Sequence, residues 1–132
     1  MAQSPAMPHP HKGRTGLDRI LRATRHSANG LAAAWRHESA FRQEVLLALP
    51  LLPAAMWLGT TWSERALLAA SVLLVLVAEL LNSGIEAAID RISLEPHELS
   101  RRAKDYGSAA VMLALLLCAG TWAAAFWTRF AA

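Results

Sequence analysis

The sequence predicts an all-α integral membrane protein, with three transmembrane helices preceded by an N-terminal amphipathic surface helix. Three observations predict it. Hydrophobic residues make up 55% of the 132 residues and charged residues 17%, against roughly 45–50% and about 25% in soluble domains. The excess is gathered in long uncharged blocks rather than spread in amphipathic periods. The Lys and Arg residues are segregated: seven precede Glu44, four lie between Arg91 and Asp105, and only Arg65 and Arg129 lie elsewhere. A nucleic-acid partner calls for a continuous basic face on a folded domain. Basic blocks alternating with apolar spans instead fit a membrane surface, which leaves nucleic acid out of the expected partners.

The length is that of one domain. A single cysteine, Cys118, excludes an intrachain disulfide framework and a four-cysteine metal site. It lies in an apolar run and reads as a small hydrophobe.

Residues 1–16 contain three prolines and little aliphatic material, the composition of a disordered tail. No long apolar segment with a cleavage signature follows its basic residues, so it is not a secretory signal. The remainder, 17–132, is the membrane domain. From Leu17 to Trp35, apolar residues recur at 17, 20, 21, 28, 31 and 35, while Asp18, Arg19, Arg22, Arg25 and His26 occupy the other face. An apolar face opposite a basic one is the pattern of a helix lying in the membrane interface. Asn29 and Gly30 are expected to weaken it.

Val45 to Ser63 carries no formal charge over 19 residues, or about 28 Å as a helix against a hydrocarbon thickness of roughly 30 Å. Pro50 and Pro53 are expected to bend it. A short turn over 59–65 leads to the second span, 66–89. A polar connection over 91–105, broken at Pro96, leads to the third span, 106–128, which is free of formal charge. The tryptophans at 57, 62, 122 and 127 suit interfacial belts. Three spans place the N-terminal region and the 91–105 loop on one side. By the positive-inside rule that side is cytoplasmic, and the C-terminus lies outside.

The second span carries the chemistry. In Val72–Arg91, VLLVLVAELLNSGIEAAIDR, the polar residues Glu79, Asn82, Glu86 and Asp90 stand at offsets 0, 3, 7 and 11. On a helix those offsets fall within an arc of about 80°. Asn82 alone reads equally well as interhelical glue, and Asp90 as a headgroup-level residue paired with Arg91. Glu79 lies about 16 Å along the axis from Asp90, well inside the span. An intramembrane carboxylate is costly and rarely without function. Topology puts Glu38 on the same side of the membrane as the lower end of this stripe. Glu38 and Glu86 together offer the hard oxygens that a divalent cation bridging to phosphate requires. Lys104, with Arg101 or Arg102, offers positive charge to phosphate, and Glu79, lying deeper, is placed to accept a proton. This set permits phosphoryl transfer to a lipid hydroxyl, and equally a proton relay or cation passage.

Other motifs are absent. There is no G-x-x-x-x-G-K-[ST] loop and no kinase glycine-rich loop. His37-Glu38 and His97-Glu98 are followed by Phe41 and Arg101 where a zinc-binding H-E-x-x-H needs histidine. Gly84, Gly107 and Gly120 read as close-packing positions between helices.

The stretches AAWRHESAFRQE at 33–44, VAELLNSGIEAAIDR at 77–91 and HELSRRAKDYGSAAV at 97–111 resemble the small bacterial integral-membrane diacylglycerol kinases. The combination E-L-L-N-S-x-I-E-x-x-x-D-R with A-K-D-x-G-S-A-A is specific, and the likeness spans about Leu17 to Trp127. The resemblance implies a homotrimer with active sites shared between subunits, in the bacterial inner membrane. It implies transfer of the γ-phosphate of ATP, with Mg2+, to the hydroxyl of diacylglycerol, giving phosphatidic acid. By the same resemblance Glu79 is the general base, and Glu38 and Glu86 hold the metal–ATP complex. Asn82, Asp90, Lys104 and Asp105 organise the site and the nucleotide, while Arg19 and Ser108 lie near the lipid. Related small kinases use undecaprenol, so that acceptor is the nearest alternative. A proton- or cation-conducting oligomer is the alternative from another class.

Overall fold

In a computed structural model the described residues, 16–131, form four helices and no strand. They are α1 (Gly16–His37), α2 (Ser39–Leu58), α3 (Trp62–Ile92) and α4 (Glu98–Phe130). Apart from Gly16, the first residue of α1, the expected N-terminal tail lies outside the described residues. The chain divides into two compact units, residues 1–33 and 34–132.

The N-terminal unit holds most of α1. Its helix is amphipathic as expected, with Asp18 and Arg22 paired one turn apart. Leu17, Ile20, Leu21 and Leu31 stand exposed along it. Asn29 and Gly30 do not interrupt it, because helix continues on both sides and two weak residues cost less than a broken helix.

The second unit contains α2, α3 and α4. Helix α3 lies between the other two and packs most extensively on α4, whereas α2 and α4 scarcely meet. Each helix is longer than its apolar stretch. Helix α2 starts at Ser39, so its first two turns carry Arg42, Gln43 and Glu44 ahead of the uncharged run. Pro50 and Pro53 lie inside it without ending it. Proline φ suits a helix, and each ring removes only one donor. Helix α3 begins at Trp62 rather than after Arg65. Thr61 caps it by accepting from Glu64 N at 3.1 Å, and Glu64 Oε2 reaches back to Thr60 N at 2.7 Å and Thr60 Oγ1 at 2.6 Å. This reciprocal cap turns most of the expected 59–65 turn into helix. Likewise the expected 91–105 loop shortens to Ser93–His97. His97 Nδ1 accepts from Leu99 N at 3.1 Å and starts α4.

Helices α3 and α4 are long and apolar enough to cross a bilayer. The uncharged part of α2, Val45–Leu58, has 14 residues, or about 21 Å of helix, shorter than the hydrocarbon core.

The core at the 59–61 turn is Ala55, Leu58, Leu68 and Ala125, with Ala69 and Trp122 against it. Trp122 therefore belongs to the packing, while Trp127 stays exposed as an interfacial residue should. Further along, Phe41, Ala48, Val72 and Val75 are buried. Small residues recur where helix backbones approach, as membrane packing favours. Gly107 is one of these. Gly84 and Gly120 are not: a Cβ at either would meet nothing within 4 Å. Cys118 packs as expected, with Ser71 Oγ 3.6 Å from its sulfur.

Candidate active site

The polar stripe forms as the spacing predicts, because α3 runs unbroken through residues 79–90. Glu79 is buried, at 6% exposure. A turn below it, Asn82 Nδ2 donates to Glu86 Oε1 at 3.3 Å, while Asn82 Oδ1 is buried without a partner. At the lower end Asp90 Oδ1 accepts from Lys104 Nζ at 2.6 Å, which ties α3 to α4. Lys104 lies outside the apolar spans, and the hydrogen bond it donates to Asp90 holds its pKa above the usual lysine range. Asp105 is held by Arg101 Nη1 at 2.9 Å, and Arg101 Nη2 also reaches Glu98 at 2.9 Å. A cleft of about 670 Å³ opens beside Asp90 and Lys104, walled by the Ser93–His97 connection and the start of α4.

Glu38 ends up beside this stripe because the chain turns there. It is the N-cap of α2, with φ −108° and ψ 110°, and its carboxylate makes no capping bond. Arg42 Nη1 closes the corner by donating to Trp35 O at 2.9 Å and Arg36 O at 3.2 Å, the last carbonyls of α1. The carboxylates of Glu38 and Glu86 are the charged groups acting on Glu79. Glu38 and Glu86 are thus near enough to Glu79 for their charges to act on it.

Glu44 joins them, and sequence reasoning passed over it. It took Glu44 only as the boundary of the first span. In the structure Glu44 Oε2 is buried without a hydrogen-bond partner, and Glu79 is the charge acting on it. The available signal was its place: it is the last charged residue before the uncharged run. Among the described residues no ion pair involves Glu38, Glu44, Glu79 or Glu86. Their carboxylate oxygens are hard, negatively charged donors, the ligand type a divalent ion such as Mg2+ takes. Among the described residues no group of three or more His, Cys, Asp or Glu could hold a metal ion, so the chain would supply at most two such ligands to a coordination shell. Magnesium is commonly held this way, with phosphate oxygens and water completing its shell.

Ser108 is exposed on α4, one position past Gly107. Arg19 is exposed on α1 and belongs to the N-terminal unit.

Residues 25–126 match the family described as prokaryotic diacylglycerol kinase. The chain is 56% identical over 116 residues to a diacylglycerol kinase of Pseudomonas aeruginosa, covering 88% of this chain and 94% of that one. It is 49% identical over 116 residues to a diacylglycerol kinase of Escherichia coli K12, covering 88% and 95%. It is 41% identical over 107 residues to one of Helicobacter pylori, covering 81% and 84%.

Proposed function

The chain belongs to the prokaryotic diacylglycerol kinase family, and from that premise we propose that it phosphorylates diacylglycerol with ATP, giving phosphatidic acid and ADP. The observation that carries this reading is the stripe on α3. Buried Glu79 stands at one end of it, the Asp90–Lys104 pair at the other, and Glu38 lies beside it.

In this reading the acceptor hydroxyl lies against Glu79. Its oxygen attacks the γ-phosphorus of ATP while Glu79 takes its proton. The bond from phosphorus to the β–γ bridging oxygen breaks, and ADP leaves. The nucleotide lies in the cleft beside Asp90 and Lys104, where the lysine offers positive charge to phosphate and Arg101 holds Asp105 at the rim. Glu38 and Glu86 would hold magnesium, which would screen the phosphate charge. Asn82 fixes Glu86 through its amide. Arg19 and Ser108 lie toward the lipid.

The same reading places three spans in the bacterial inner membrane, with α2 as the first. Its short apolar stretch is met by local thinning of the bilayer. The N-terminus is cytoplasmic, where ATP is available, and the C-terminus is periplasmic. Three copies share sites, as the family resemblance implies, and the sparse meeting of α2 and α4 leaves room for another copy against α3. Residues 17–132 form this kinase domain.

A two-lipid assay tests the proposal. Purified protein in vesicles holding both diacylglycerol and undecaprenol is given ATP and Mg2+. Labelled phosphatidic acid is the expected product, with none when ATP is omitted. A strong preference for undecaprenol reassigns the acceptor. Ion flux without phosphorylated lipid rejects the kinase reading.

A further inference from the structure

Three glycines were expected to mark close helix packing, and only Gly107 does so. A Cβ at Gly107 would overlap Asn82 Oδ1 and stand 3.2 Å from Asn82 Cγ and 3.5 Å from its Cα. The overlap is therefore with the tip of one side chain. The distance to Asn82 Cα is ordinary contact, so the helix backbones themselves would tolerate a methyl group. What they would not tolerate is the present orientation of the Asn82 amide.

That orientation bears on the site. Asn82 Nδ2 donates to Glu86 Oε1, and Oδ1 points into the space that Gly107 leaves open. Turning the amide end for end would set Oδ1 against the Glu86 carboxylate, acceptor against acceptor. With Glu86 on one side, the amide oxygen has to lie against α4. It is buried there with no hydrogen-bond partner.

We propose that Gly107 is a positioning residue of the kinase site: by lacking a Cβ it lets the Asn82 carboxamide lie flat on α4, which aims Nδ2 at Glu86. The inference rests on the phosphoryl-transfer reading above. Gly84→Ala is the internal control, because a Cβ there meets nothing within 4 Å.

The test compares the unaltered chain, Gly107→Ala, Gly84→Ala and Asn82→Ala in the same lipid. The Asn82 side-chain amide resonance, assigned by its loss in Asn82→Ala, reports the orientation directly. Gly107→Ala should shift that resonance, and Gly84→Ala should leave it in place. Turnover should fall at least tenfold in Gly107→Ala, with the Mg2+ concentration for half-maximal rate rising severalfold and the thermal midpoint unchanged. Gly84→Ala should keep full turnover. An unmoved resonance in Gly107→Ala, or a moved one with full turnover, overturns the proposal. A fall in turnover that follows a fall in thermal midpoint, with the Mg2+ requirement unchanged, assigns Gly107 a purely structural role and overturns it too. If the unaltered chain phosphorylates no lipid, the kinase reading fails first and the positioning role fails with it.

Discussion

Lys104 Nζ meets Asp90 Oδ1 at 2.6 Å, joining the last turns of α3 to the second turn of α4. Both side chains are more than a third exposed, so the pair adds little to stability. Its effect is geometric: it fixes where the ammonium stands at the mouth of the cleft. Lys104→Gln should therefore leave the thermal midpoint nearly unchanged. The KM for ATP should rise about tenfold, the order of one charge-assisted hydrogen bond. Steady-state kinetics beside a melting curve checks both, and an unchanged KM removes Lys104 from the nucleotide site.

Glu79→Gln keeps the size of the side chain and removes the proton acceptor. Turnover should fall by about 10²–10⁴, the usual contribution of a general base. Nucleotide affinity, read by titration, should stay within about twofold, well under the 1.4 kcal/mol of a tenfold change. Normal turnover would falsify the assignment of Glu79 as base.

Glu38 and Glu86 should reveal themselves through magnesium. Glu38→Gln and Glu86→Gln should each raise the Mg2+ concentration for half-maximal rate by about tenfold or more, since each removes one anionic oxygen ligand. Excess EDTA should stop turnover in the unaltered chain, and added Mg2+ should restore it. Glu86→Gln with an unchanged Mg2+ profile separates Glu86 from the metal.

Glu44 offers a contrast between stability and function. Its Oε2 is buried without a partner beside Glu79. An unpaired buried acceptor costs about 1–3 kcal/mol. Glu44→Gln removes a like charge from the cluster and supplies an amide donor, so the thermal midpoint should rise while turnover falls. A midpoint that drops shows that the carboxylate stabilises the fold.

The cap at the start of α3 gives a pH prediction. Glu64 lies outside the apolar spans, and the hydrogen bonds from the Thr60 hydroxyl and backbone N–H hold its carboxyl below the usual range. A carboxylate depressed in the folded state stabilises it above the unfolded-state pKa, and that contribution is lost as pH falls through the folded value. The unaltered chain should melt above Glu64→Gln at pH 7, and the difference should shrink as pH falls through and below the ordinary carboxylate range. A difference that persists in acid traces to the side chain's shape rather than its charge.

Much of the protein is determined by the order of its residues alone. A helix places residues 79, 82, 86 and 90 on one face whatever surrounds it, because its period is set by backbone hydrogen bonding. The apolar blocks likewise announced α3 and α4, since crossing hydrocarbon demands length and composition. Helices α3 and α4 start a turn or more before their apolar stretches, because the polar caps Thr61–Glu64 and His97 extend them, while the first span stops at Leu58, short of the expected residue 63. Only tertiary structure decided which residues meet across helices. Nothing in the spacing of Glu44 says that it faces Glu79. Three glycines looked alike in sequence, yet only Gly107 lies against a neighbouring side chain. Such contacts depend on how each helix is rotated against the next. That rotation is set by packing over the whole interface rather than by any local pattern.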